Sequence, residues 1–211
     1  MSRPKQPLSL LDLSETFGLQ LFADERFLGG REIWPSGLVL STAIQQGIVD
    51  VADKRILEIG AGLGLPSFVA ELKGALQVHV SDRPELCDIF TLNKKHLQSR
   101  AEFVSVDWLE LERDQCKLPV DLDLILGADI VYFEEQDALI GLLDKLLLPY
   151  PQRIFVLAYR ERTALDRNFL NQSLVGRYHC FRQLKDNTEN VELYWFRARP
   201  SDHCDSLPRD I

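Results

Sequence analysis

The 211-residue chain carries a net charge of −8, with 45% hydrophobic and 27% charged residues. That balance suits one soluble domain with a proper core, and it excludes a general nucleic-acid binder, which needs a basic surface to release counterions. Cys87, Cys116, Cys180 and Cys204 form no C-x-x-C pair, so no zinc site or disulfide framework is expected. Reduced thiols in a cytoplasmic or nuclear compartment are the expectation. No apolar run is long enough to cross a bilayer, and Met1 to Pro7 lacks the apolar centre of a signal peptide.

Residues 1–16, with Pro4 and Pro7 early, read as a mobile arm. Residues 17–199 read as a single domain, and the polar residues 200–211 as a frayed tail. Thr16 to Phe22 alternates, and Arg26-Phe27-Leu28 precedes two glycines, which predicts a short N-terminal hairpin. Trp34 lies just before an apolar helix, Leu38 to Ile44, and Pro35 suits the start of that helix through its fixed φ and missing N–H. Arg55 to Ile59 reads as a buried strand. It breaks at Gly60, Gly62 and Gly64, after which Ser67 to Leu72 reads as a helix. A second strand, Gln77 to Ser81, closes at Asp82, and Pro84 opens a helix to about Gln98.

The third strand is Ala101 to Val106, ending at Asp107-Trp108; the fourth is Leu122 to Gly127, ending at Ala128-Asp129. Leu139, Leu142, Leu143, Leu146 and Leu147 recur at helical spacing in a helix from about Glu134 to Leu148, stopped by Pro149 and Pro151. A fifth strand, Arg153 to Tyr159, a helix from near Thr163, and an antiparallel pair of Tyr178–Arg182 with Val191–Phe196 complete the domain. Strands alternating with helices predict an α/β fold with a mostly parallel sheet and one antiparallel strand.

Ligands of open α/β sheets bind at the carboxyl ends of the strands, and four successive ends here carry chemistry. The glycine turn lets a ligand lie against backbone at a helix N-terminus. Asp82 follows Gly60 by 22 positions (82 − 60), close to the ~20 expected of an acid that holds a ribose hydroxyl. Asp107 can accept from an adenine amino group, Trp108 can cover the ring, and Glu58 can balance an ammonium. Each has a plainer use, since acids cap helices and tryptophans fill cores.

Leu57-Glu58-Ile59-Gly60-Ala61-Gly62-Leu63-Gly64-Leu65-Pro66 with Asp82 resembles motif I of S-adenosylmethionine-dependent methyltransferases. Asp129-Ile130-Val131-Tyr132 resembles the D-x-x-Y motif of the methyltransferase-like protein lysine methyltransferases (family sixteen). Ile33-Trp34-Pro35, Asp107-Trp108 and Tyr159-Arg160-Glu161-Arg162 are similar to that family too. The resemblance implies a Rossmann-like, seven-stranded, mostly parallel sheet with helices on both faces. It implies S-adenosyl-L-methionine as cofactor, bound by Trp34, Glu58, Gly60, Ala61, Gly62, Gly64, Asp82, Asp107, Trp108 and Ala128. Asp129 and Tyr132 would lie at the methyl-transfer site.

The resemblance implies a lysine of a protein substrate as acceptor; the acidic chain suits a substrate with a basic segment, and a monomer is expected. Glu134 and Glu135 leave an arginine acceptor open, because paired carboxylates clamp a guanidinium; they equally suit the first turn of a helix. A small-molecule acceptor, or a non-catalytic interaction module that keeps the fold, are the other readings. The histidines lie away from the strand ends, and no metal constellation is expected.

Overall fold

The computed structural model describes residues 8–111, 118–131, 136–186 and 189–200. Its centre is a seven-stranded sheet in the order β5-β4-β3-β6-β7-β9-β8. The strands are β3 (Arg55–Ile59), β4 (Gln77–Asp82), β5 (Glu102–Ser105), β6 (Leu124–Ala128), β7 (Ile154–Arg160), β8 (His179–Asp186) and β9 (Val191–Arg197). β9 runs antiparallel to both of its neighbours, whereas β3 to β7 pair in parallel. The expected α/β sheet with one antiparallel strand is therefore present.

Alternation along the strands divides the core in two. Ile56, Leu124, Leu126, Val156 and Ala158 pack on one face, with Leu40, Ile44, Phe68 and Phe90. These last four come from α2 (Pro35–Gln45), α3 (Leu65–Leu72) and α4 (Cys87–Leu97). On the other face Leu57, Ile59, Ile125, Phe155 and Leu157 meet Leu139, Leu142, Leu143, Leu146 and Leu147 of α5 (Gln136–Leu147). Parallel strands covered on both faces must be apolar on both, which is why these runs read as continuous hydrophobic stretches. The helix beyond β7, α6 (Ala164–Phe169), starts at Thr163 with a reciprocal capping box to Asp166.

The N-terminal hairpin forms earlier than the alternation of residues 16–28 predicts. Its strands are β1 (Ser9–Leu13) and β2 (Leu19–Ala23), joined by one helical turn, α1 (Ser14–Phe17). Gly18 ends that turn in the left-handed region at φ 70°. β1 thus lies inside the stretch expected to be a mobile arm, because Leu11 and Leu13 pack against the core. Arg26-Phe27-Leu28 is no strand: Asp24 accepts from the Arg26 backbone N–H and its guanidinium, folding the chain into a turn. Residues 1–7 and 201–211 lie outside the described residues, so the frayed tail and most of the arm do too.

Candidate active site

Strand order reverses between β3 and β6, and a cavity of about 510 Å³ opens there at the strand carboxyl ends. One wall is the turn from β3 to α3. Gly60, Gly62 and Gly64 have φ of 60°, 56° and 73°, a region that side-chain-bearing residues rarely adopt. Space matters as well as torsion. A Cβ on Gly62 would stand 2.6 Å from the Gly29 carbonyl oxygen, and one on Gly60 would meet Ile130 at 2.8 Å and the Trp108 ring at 3.1 Å. The turn is therefore pressed between the loop after β2 and the Trp108 indole. Gly60, Ala61, Gly62, Trp108 and Ala128 all line the cavity, as the sequence predicts.

Asp82, at the end of β4, also lines it. Its two oxygens accept from Gly62 N at 2.7 Å and Arg83 N at 2.8 Å. Burial pushes its pKa above the ordinary value, and those two N–H groups only partly offset the push. Two accepted bonds leave lone pairs for hydroxyl donors from a ligand. Glu58 is 2% exposed and accepts from the Ser67 N–H at 2.9 Å and from the Ser67 hydroxyl. Gly64 caps α3 but has no side chain, so Glu58 reaches across from β3 to satisfy the first turn. Burial raises the Glu58 pKa to about 8, with Asp82 adding to the rise.

Two residues expected to hold the cofactor are not among those that line the cavity. Asp107 does not line the cavity; its carboxylate turns to cap the Trp108–Glu110 turn, accepting from Leu109 N at 3.0 Å. Gly64 stands behind the wall as the α3 cap. Both residues serve the local backbone first.

The opposite wall comes from the ends of β6 and β7 and the start of α2. Asp129 has φ 55°, an arrangement aspartate tolerates better than most residues. Its side chain is 3% exposed, with one oxygen accepting from Ser36 N at 3.0 Å and the other paired with Arg162 at 3.0 Å. The Arg162 guanidinium also lies over the Trp34 indole, 4.9 Å from its centre. Trp34, Asp129 and Arg162 all face the cavity. Arg162 was visible only inside the tetrapeptide that ends the fifth strand, and Ser36 and Gly29 carried no signal of their own. Tyr132, Glu134 and Glu135 lie outside the described residues.

A cavity of this size, with a backbone cradle, an acid at the second strand end and an indole over the turn, is built for a nucleoside-bearing ligand. The family model described as lysine methyltransferase matches residues 14–174. The chain belongs to the lysine methyltransferase family. Mouse protein N-lysine methyltransferase METTL21A is 35% identical over 86% of this chain and 84% of its own length. Mouse EEF1A lysine methyltransferase 3 is 28% identical over 90% and 78% respectively. Among solved structures, a methyltransferase from Pyrococcus furiosus has the same fold at TM-score 0.62 and 18% identity, covering 88% of this chain and 92% of that one.

This methyltransferase is S-adenosylmethionine-dependent, and its residues fit that cofactor. Asp82 keeps acceptor capacity for ribose hydroxyls, and Glu58 offers a carboxyl inside the cavity where an ammonium would compensate its burial. Ile33, Leu63, Val106 and Ile130 supply apolar lining.

Proposed function

We propose that this chain methylates the side-chain amine of a lysine in a protein substrate, with the amine standing over Asp129 at the ends of β6 and β7. S-adenosylmethionine supplies an electrophilic methyl group, so the chain's own task is alignment and proton management. Glu58, the glycine turn, Asp82 and Trp108 hold the donor side. Trp34, Ile33 and Ile130 form a largely apolar passage that disfavours a charged ammonium and so favours the nucleophilic free amine. Asp129 accepts an N–H of that amine with the lone pairs left over from Ser36 and Arg162, turning the nitrogen lone pair toward the donor. Tyr132 is assigned to the acceptor rim on the family resemblance.

The observation that carries this reading is the buried Asp129 carboxylate, tied on two sides yet facing the same cavity as the glycine turn. The acidic chain suits a substrate whose lysine sits in a basic segment. One chain supplies both walls, so a monomer suffices. The free thiols of Cys87 and Cys180 support a cytoplasmic or nuclear site of action.

The test is transfer of labelled methyl from S-adenosylmethionine into an extract of cells lacking this protein, wild type beside Asp129→Ala. A discrete band made only by wild type, with methyl-lysine found by mass spectrometry, is expected. Methyl-arginine in that band, or label only in small molecules, overturns the lysine assignment.

A further inference from the structure

The arginines of the described residues mostly brace the framework. Arg55 joins Asp123 at the amino ends of the strands, and Arg167 joins Glu161 and Glu192 beside α6. Arg153 is buried and donates to three backbone carbonyls. Arg162 differs from all of these. It follows β7, faces the cavity, pairs with a nearly buried carboxylate and stacks on an indole that lines the same cavity.

From that juxtaposition we propose that Arg162 is a positioning residue of the acceptor site, acting through Asp129. This rests on the lysine-methyltransferase reading given above. The carboxylate it holds sits on a left-handed backbone, a conformation that persists where neighbours over-determine it. Three contacts do so: Asp129 N donates to Ala158 O at 3.1 Å, Ser36 N donates to one carboxylate oxygen, and Arg162 grips the other. The first two fix the backbone and one oxygen. Among the described residues, Arg162 is the side chain that holds the second oxygen, and its planar head is itself fixed by lying on Trp34.

The two partners are unequally placed. The Arg162 side chain is 32% exposed against 3% for Asp129. An approaching lysine therefore meets a neutralised pair with the guanidinium outward, and no bare carboxylate stands ready to trap it as an ammonium. The arrangement holds an amine by hydrogen bond without rewarding its charged form. A lysine at position 162 would keep the charge but lose both the fork and the stacking plane.

The test uses the full-length protein and the substrate band identified in the extract, comparing wild type with Arg162→Gln, Arg162→Lys, Asp129→Asn and the Arg162→Gln/Asp129→Asn double variant. Positioning predicts that kcat falls about a hundredfold in Arg162→Gln, the size of loss that a small misplacement produces, while KM for S-adenosylmethionine and affinity for S-adenosylhomocysteine stay within about threefold. Arg162→Lys recovers only part of the loss, and added guanidinium ion recovers more of the Arg162→Gln activity than equal ammonium. In the Asp129→Asn background, Arg162→Gln costs little further, because the two act as a unit.

Additive losses in the double variant, or a loss of cofactor affinity that matches the loss in kcat, overturn the proposal. If Arg162→Gln does not fold, the guanidinium arm is run on Arg162→Lys, and equal rescue by the two ions overturns it. A wild type that labels no protein overturns the proposed function instead. Positioning is then read from the Trp34 indole resonance, which moves in Arg162→Gln if the guanidinium stacks in solution and stays in place if it does not.

Discussion

The cavity wall at the ends of β3 and β4 is made chiefly of backbone, whereas the wall at the ends of β6 and β7 is made of side chains that reach one another across the fold. The first is a glycine turn clamped by Gly29 on one side and the Trp108 ring on the other, with Asp82 tied to its Gly62 amide. The second is a relay of Ser36, Asp129, Arg162 and Trp34 drawn from three separate segments. A wall of backbone cannot be altered without moving the chain. A wall of side chains can be retuned one residue at a time, which suits the half of a transferase that must match its acceptor.

Substitutions on the two walls should therefore differ in kind. The largest effect is expected from Gly62→Ala, which adds a Cβ 2.6 Å from a carbonyl oxygen at φ 56°. Calorimetry should find no cofactor binding, and thermal melting should show a destabilisation of about 3 kcal/mol. A protein that still bound S-adenosylhomocysteine normally would mean that this wall is far softer than drawn.

Next comes Asp82→Asn, which keeps the shape but loses a charged acceptor. Affinity for S-adenosylhomocysteine should drop roughly tenfold to a hundredfold, the range for hydrogen bonds to an ionised group, while the melting temperature changes little. Because burial raises the Asp82 pKa, wild-type affinity should also weaken on acidification sooner than for an ordinary carboxylate. An Asp82→Asn protein with the same pH profile as wild type would break that link.

Glu58 gives a smaller effect with a definite sign. Its carboxyl holds a proton up to about pH 8 when folded but only to 4.5 as a free side chain. Between those values the folded state binds the extra proton, so its contribution to stability is present below the lower value and is lost as pH rises to about 8. Denaturant titrations at pH 5.5 and 8 should show wild type losing more stability across that interval than Glu58→Gln. Parallel slopes would place the ionised form in the folded protein.

Smallest of all should be Tyr159→Phe. Tyr159 is 1% exposed, and its hydroxyl has no hydrogen-bond partner among the described residues. Removing an unpaired buried hydroxyl should leave stability within about 0.5 kcal/mol or raise it. A loss of about 2 kcal/mol in urea denaturation would show that the side-chain wall is braced through this hydroxyl.

The same contrast governs what the sequence revealed. The backbone wall is written locally: an apolar strand, spaced glycines, a helix, then an acid at the next strand end, all between Arg55 and Asp82. The mostly parallel sheet closed by one antiparallel strand followed from the alternation of elements. The bond from the Leu109 amide to Asp107 had a local signal too, since an aspartate two residues before a backbone N–H is an ordinary turn cap. The side-chain wall could not be read this way. Ser36 and Asp129 are 93 residues apart, and no periodicity announces that the arginine closing the fifth-strand motif turns back onto a tryptophan before α2. The hairpin was placed too late because Pro4 and Pro7 suggested an arm that extended over β1.

One contact outside the cavity gives the molecule a built-in reporter. The Asn93 side-chain amide clasps the Phe22 backbone on both sides, accepting from its N–H at 2.7 Å and donating to its carbonyl at 2.9 Å. Among the described residues the hairpin shares no strand pairing with the main sheet, yet the loop that leaves it supplies Gly29, which leans on the glycine turn. Solvent exchange at the single Phe22 amide thus registers whether the hairpin is seated. Slowed exchange on adding S-adenosylhomocysteine would show that filling the cavity tightens a segment it never touches.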